Sequence, residues 1–222
     1  MTPTPPSHLV LGATGGIGSA LTRRLAASGA RLVIAGRDEQ RLAALAEETG
    51  AIPQRFEATE LADVERCVHL AVECHGALDG VVNCVGSLLL KPAHLTTMEE
   101  WNAVLATNLT SAFATVRAAA RPMMRHGGTI VLVSSAAARV GLANHEAIAA
   151  AKAGITGLVL AAAASYAAHR IRVNCVAPGL VRTPLTARLT ASKTGLEISN
   201  AMHPLGRVGE PEDVASALAW LL

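Results

Sequence analysis

Short runs of β-branched and aliphatic residues alternate along this chain with longer stretches in which apolar positions recur every three to four residues. The first pattern belongs to strands and the second to helices, and their alternation is the signature of βαβ units around a parallel sheet. Strands are predicted at residues 8–11, 31–35, 52–56, 80–85, 129–134 and 171–177. Their near-continuous apolar character implies burial on both faces. Helices are predicted at 16–28, 39–48, 61–74, 97–125, 144–168 and, after Glu210-Pro211, 212–222. A right-handed crossover at each step makes a doubly wound parallel sheet the economical arrangement, an α/β fold with three layers, α/β/α.

Composition narrows the picture. A chain of 222 residues with 51% apolar content can bury a substantial core, so residues 1–222 are expected to form one domain. Residues 1–7, Met-Thr-Pro-Thr-Pro-Pro-Ser, show no basic patch followed by an apolar run. They read as a loose arm rather than a secretory signal, which implies a cytoplasmic protein. Cys67, Cys74, Cys84 and Cys175 form no CxxC pair, so reduced thiols are expected rather than disulfides or a metal site. A net charge of +2, with basic residues spread along the chain and only five aromatics, offers no platform for nucleic acid. The most membrane-like run, 153–168, is shorter than the roughly 20 residues a bilayer span needs, and a buried helix accounts for it.

The first strand is followed by Gly12-Ala13-Thr14-Gly15-Gly16-Ile17-Gly18, which opens the first helix. In that context a glycine-rich turn can hold a pyrophosphate on a helix N-terminus, although a tight strand-to-helix turn also wants glycine. The second strand ends in Ala35-Gly36-Arg37-Asp38, where a dinucleotide fold reads the ribose 2′ position. A guanidinium at Arg37 favours the 2′-phosphate of NADP over NAD, while the plainer reading is a solvated loop charge beside a helix-capping Asp38. Asn83-Cys84-Val85-Gly86 closes the fourth strand, at the sheet end where ligands bind, and Gly86 would let the chain turn there. Lys152 is one of three lysines and the only charge between Ala147 and Ala168. An ammonium among alanine, isoleucine and leucine requires a hydrogen-bonding partner, for which ribose hydroxyls would serve, unless it snorkels to water.

Together these pieces resemble the short-chain dehydrogenase/reductase family, from about Leu9 to Leu222. The likeness rests on Gly12, Gly16 and Gly18, on Asn83 to Gly86, on Asn108, on Ser134-Ser135, on Lys152, and on Pro178-Gly179 with Thr183. It implies a Rossmann-type fold and hydride transfer between a nicotinamide dinucleotide and a carbonyl or alcohol carbon. In the family's pattern a catalytic serine lies thirteen residues before a tyrosine, and the lysine four after it. Counting back from Lys152 gives Ser135 the serine role and puts Ile148 in the tyrosine position. The resemblance also implies cofactor contacts at Thr14, Ile17, Gly86, Pro178, Gly179 and Thr183, and an Asn108 whose backbone bends to anchor a proton-relay water. Leu11, Glu57 and Val85 depart from the family's usual threonine, adenine-side aspartate and alanine.

Two departures are larger. The only tyrosine, Tyr166, lies about 21 Å beyond Lys152 on a continuous helix, so it cannot stand in for the missing phenol. The chain also stops at Leu222 inside a helix, before the family's last strand, which would leave the sixth strand at an exposed edge and points to a shortened or incompletely observed protein. His145, three residues before Ile148, is one candidate acid, but with Asn144 read as the N-cap it falls in a first turn where the dipole disfavours its cation. Lys152 acting through Ser135 or a water is a second. Hydride delivery to an iminium, which needs no acid, is a third. The expectation is therefore an atypical NADP-dependent oxidoreductase acting on a small carbonyl, alcohol or imine. The competing reading is a nucleotide-binding subunit without catalysis. The family's two long helices build a dimer interface, so a homodimer or homotetramer is expected. The segment 182–207 is the expected lid, and Leu88, Leu89, Leu90, Leu142 and Leu185 are candidate apolar walls.

Overall fold

The computed structural model describes residues 4–222. Its strands are β1 (Ser7–Leu11), β2 (Arg31–Gly36), β3 (Ile52–Arg55), β4 (Gly80–Asn83), β5 (Gly128–Val133) and β6 (Ile171–Val176). All are parallel, in the order β3-β2-β1-β4-β5-β6. The chain builds outward from β1 to β3 and then restarts at β4 on the other side of β1. That reversal opens a crevice above the carboxyl ends of β1 and β4. Leu11 pairs with Asn83, so Gly12 and Cys84 leave the sheet side by side.

Residue alternation along each strand feeds two cores. Val10, Ile34, Val82 and Val131 pack on α1 (Gly16–Ala27), α2 (Glu39–Thr49) and α9 (Pro211–Leu221), through Leu21, Leu42 and Leu218. Leu9, Leu11, Val81, Ile130 and Leu132 face the other side, against α3 (Leu61–His75), α5 (Ser111–Met123) and α6 (Glu146–Tyr166), through Val68, Val116 and Ile155. Burial of each large aliphatic side chain contributes roughly 1.5–3 kcal/mol, which holds both helical layers onto the sheet. The doubly wound three-layer arrangement read from the pattern is the one observed.

Local departures have identifiable causes. The helix predicted over 97–125 is interrupted: α4 (Met98–Leu105), capped by a reciprocal Thr97–Glu100 box, runs into a π-turn at Ala106–Thr110 before α5. Within that turn Asn108 Nδ2 donates to the Val104 carbonyl, taking an acceptor from the backbone ladder. Asn144 is not the N-cap of α6. It is left-handed, with φ 63°, its carbonyl accepts from Lys91 N, and the cap position passes to His145. Part of the supposed loose arm is anchored, since Arg31 donates to the carbonyls of Pro5 and Pro6 and Ser7 joins β1, whereas residues 1–3 lie outside the described residues. The segment Glu146–His169 is long and apolar enough to cross a membrane by length and composition, yet one of its faces packs on the sheet. The opposite face is not buried as predicted, with Leu160 69% exposed. Two helices that the pattern did not reveal, α7 (Ala187–Ala191) and α8 (Lys193–Ala201), lie within 182–207, the segment expected to be the lid. Among the described residues β6 pairs only with β5.

Candidate active site

The glycine turn is held by geometry as much as by sequence. Gly12 has φ +76°, and the amides of Gly12 and Ala13 both donate to Ala35 O at 2.9 Å. A Cβ on Gly18 would stand 2.2 Å from the Gly12 carbonyl, so no other residue lets α1 start so close to the turn. The N-cap of α1 is Gly15, which has no side chain to cap with and so leaves the first amides of the helix free to donate to an anion.

One continuous cleft runs from this turn along the carboxyl edge of the sheet. One end is lined by Gly12, Thr14, Arg37, Glu57 and Gly86. The other is lined by Thr14, Gly16, Ile17 and Gly18 together with Ser135, Ile148, Lys152, Pro178, Gly179 and Thr183. Cys84, within the stretch read from the sequence as closing the fourth strand at the ligand end, lines both ends, as does Arg41, which was not singled out from the sequence. The available signal for Arg41 was its place in the first turn of α2, where Asp38 Oδ1 accepts from its amide and so turns the helix start toward the cleft. Cys84 is an inert wall, its thiol pushed up to about 12 by burial.

Lys152 is 7% exposed, and Nζ donates to Val133 O at 2.8 Å. Desolvation brings its pKa down to about 8. Only one of its three hydrogens has an acceptor among the described residues. A methyl on Gly86 would stand 3.6 Å from Nζ, so glycine keeps this side of the ammonium open. The neighbouring serines divide their work. Ser134 commits its hydroxyl to the Lys152 carbonyl at 2.8 Å and fixes α6 to β5. Ser135 Oγ accepts from Ala137 N at 3.2 Å, which leaves its own O–H free to donate into the cleft.

Three predicted site residues lie elsewhere. Asn83 is buried and uses its amide on Thr115 Oγ1 and the Val85 amide, so it braces the β4 turn instead of lining the cleft. Asn108 is also buried behind the wall, where Oδ1 accepts from Ser87 N and Nδ2 donates to Ser87 Oγ. Its side chain shapes the turn at Gly86 from behind the wall, and the backbone bend expected at Asn108 is present as the π-turn Ala106–Thr110. His145 does not line the cleft, because as the cap of α6 its Nδ1 is bonded to Ala143 O at 2.8 Å. Ile148, 4% exposed, packs in a satellite cluster with Val104, Leu88, Leu89 and Trp101, while Tyr166 closes the far end of α6. Leu88 and Leu185 line the cleft, whereas Leu90 and Leu142 do not.

A family profile described as Enoyl-(Acyl carrier protein) reductase matches residues 12–222. The chain is 34% identical over 223 residues to 2-(S)-hydroxypropyl-CoM dehydrogenase 3 of Xanthobacter autotrophicus, covering 96% of this chain and 88% of that protein. It is 37% identical to L-rhamnose 1-dehydrogenase (NAD(P)(+)) of Azotobacter vinelandii, with the same two coverages of 96% and 88%. A short-chain type dehydrogenase/reductase from Mycobacterium ulcerans superposes with a TM-score of 0.94 at 33% identity, over 100% of this chain and 84% of that one. With a nucleotide-type glycine turn, a buried lysine and an unengaged serine hydroxyl on one cleft, the chain belongs to the short-chain dehydrogenase/reductase family, oxidoreductases that bind NAD or NADP.

Proposed function

We propose that this protein is an NADP-dependent oxidoreductase for small, largely uncharged carbonyl, alcohol or imine compounds, working without a phenolic proton donor. The observation that carries the reading is the convergence of Ser135 and Lys152 on the cleft of the glycine turn, which the apolar Ile148 also lines. The residues present fit a dinucleotide: a cradle with no room for a Cβ at Gly18, uncapped α1 amides, and a buried ammonium with two hydrogens to place. The α1 amides would hold the diphosphate, Lys152 the nicotinamide ribose, and Arg37 with Arg41 a 2′-phosphate beside Glu57. When bound, the reduced dinucleotide would supply a hydride to a carbonyl or iminium carbon, and the oxidised one would accept a hydride from an alcohol. Ser135 donates its free O–H to the substrate oxygen, and Lys152 Nζ, a mostly protonated acid at neutral pH, is the proton reservoir for that oxygen through Ser135 or a water. An iminium carbon would need neither. Leu88, Ile148 and Leu185 bring no charge to the substrate end.

The test is a titration with NADPH and NADH followed by turnover with ketones and imines. Arg37→Ala is expected to weaken NADPH by about ten-fold, the worth of a charge-assisted hydrogen bond, and NADH by less than about two-fold. Equal losses for both coenzymes would remove the 2′-phosphate assignment. Ile148, packed as a core residue, favours one second reading, a dinucleotide-binding subunit without catalysis. That reading wins if binding is tight and no compound turns over. We further propose a homodimer through the open face of α6 and its neighbour α5, where Leu160 and Phe113 are exposed. Light scattering should return twice the chain mass, and Leu160→Glu should return the monomer. A wild-type monomer would reject the dimer.

A further inference from the structure

We propose that His203 is a positioning residue for this cleft, fastening its Gly179–Leu180 floor to lid helix α8 only while its Nε2 carries no proton. The ring sits just beyond α8. Its Nδ1 lies 2.6 Å from Ser199 O, and its Nε2 is 3.1 Å from Leu180 N. A carbonyl oxygen can only accept, so Nδ1 carries the hydrogen. An amide N–H can only donate, so Nε2 must be bare. Both partners are backbone atoms, and together they allow one neutral tautomer.

The contact is close. A Cβ on Gly179 would stand 2.4 Å from Nε2, so the glycine lets the loop lie against the imidazole. Pro178, Gly179 and Val181 of this loop line the cleft, while their other side, with His203 and Pro204, lines a second cavity. The Pro178 carbonyl accepts from the amide of Ala136, the residue after Ser135, at 2.8 Å. What His203 holds is therefore continuous with the turn that presents the Ser135 hydroxyl.

A second proton on the ring would place Nε2–H against the Leu180 N–H, two donors with no acceptor between them. The bond then breaks, and the loop and α8 part. The charged groups on the second cavity do not offer the cation a compensating partner. Arg207, from the turn after His203, and Asp213, from α9, are paired with each other at 2.6 Å. That pairing holds the Asp213 carboxyl down at about 2, so it does not change charge in the range where an imidazole does. Arg182, which follows the loop, is paired with Glu210. On α8 itself Lys193 and Glu197 are exposed.

This inference rests on the cleft being a dinucleotide site, and the experiment separates the two claims. In protein labelled with 15N-histidine and free of coenzyme, His203 should appear at pH 8 as the Nδ1–H tautomer. A proton on Nε2 at that pH overturns the proposal whether or not any coenzyme binds. NADH affinity, followed by fluorescence between pH 8 and pH 5.5, should fall about five-fold more in the wild type than in His203→Gln, the worth of one hydrogen bond. The glutamine Oε1 can still accept from Leu180 N but cannot be protonated in this range, so it should rescue acid-side binding where His203→Ala does not. Equal pH dependence in wild type and His203→Gln would also overturn the proposal. An absence of NADH and NADPH binding at every pH, with the Nδ1–H tautomer present, would strike the reading of the cleft and leave the latch standing.

Discussion

Lys152→Met should cost this protein its chemistry and leave its fold as stable as before, or more so. The ammonium is 7% exposed, and only Val133 O accepts from it among the described residues. Burial has lowered its pKa from 10.5 to about 8, so the folded state holds the charged form at a disadvantage of roughly 3 kcal/mol relative to water. Methionine removes that burden with little change of shape, at the loss of one hydrogen bond worth about 1 kcal/mol to the Val133 carbonyl. The pH dependence has a definite direction. Between about pH 8 and pH 10.5 the unfolded lysine binds more protons than the folded one, so wild-type stability gains on the variant as pH rises through this window. Below about pH 8 both states are protonated and the difference is constant. Urea unfolding of both proteins at pH 7 and pH 9.5 should show that convergence. Loss of a charged donor from the reacting centre should lower turnover by about 10²-fold or more. A variant that unfolds more easily at pH 7 and turns over unchanged would mean that Lys152 is a structural strut.

The same lysine shows what the sequence discloses and what it hides. Its isolation among apolar residues was legible because burying a charge is costly enough to need a reason, and the cleft supplies one. The glycine turn was legible because its constraints are local: positive φ at Gly12 and contact distance at Gly18 leave no alternative residue. The strands were legible as near-continuous apolar runs because each face meets a helical layer and both must be apolar. The misread residues all depend on which way a side chain turns after the backbone is set. Asn83 carries the amide expected of a ligand contact, yet it finds its partners inside the fold, on Thr115 Oγ1 and the Val85 amide. Asn144 has the composition of a cap, but a left-handed backbone and a carbonyl bonded to Lys91, 53 positions earlier in the chain, pass the cap to His145. His203 gave no periodic or motif signal, because its meaning lies in two backbone partners, one of them 23 positions away.

Ile148→Tyr is expected to create ketone reduction, by about 10²- to 10⁴-fold over the parent, because it supplies the one general acid that the cleft lacks. Position 148 precedes Lys152 by four residues, one turn of α6, so a phenol there shares a helical face with the ammonium. A neighbouring positive charge favours the phenolate and lowers the phenol's pKa toward the working range. Ser135 is already free to donate to the same substrate oxygen. The obstacle is packing. Ile148 is 4% exposed between Val104, Leu88, Leu89 and Trp101, and the larger ring must turn out of that cluster toward the cavity at a cost of about 1–3 kcal/mol. Ile148→Phe imposes the same ring without the hydroxyl and separates the two effects. Both variants should melt earlier than the parent, and only the tyrosine variant should gain turnover. Its rate should fall at high pH, as the phenol loses the proton it donates. Coenzyme binding without turnover in the tyrosine variant would show that Ser135 and Lys152 do not hold a substrate carbonyl within reach of the hydride, and would shift the assignment to the non-catalytic subunit. A gain shared by the phenylalanine variant would trace the effect to cavity shape instead of proton donation.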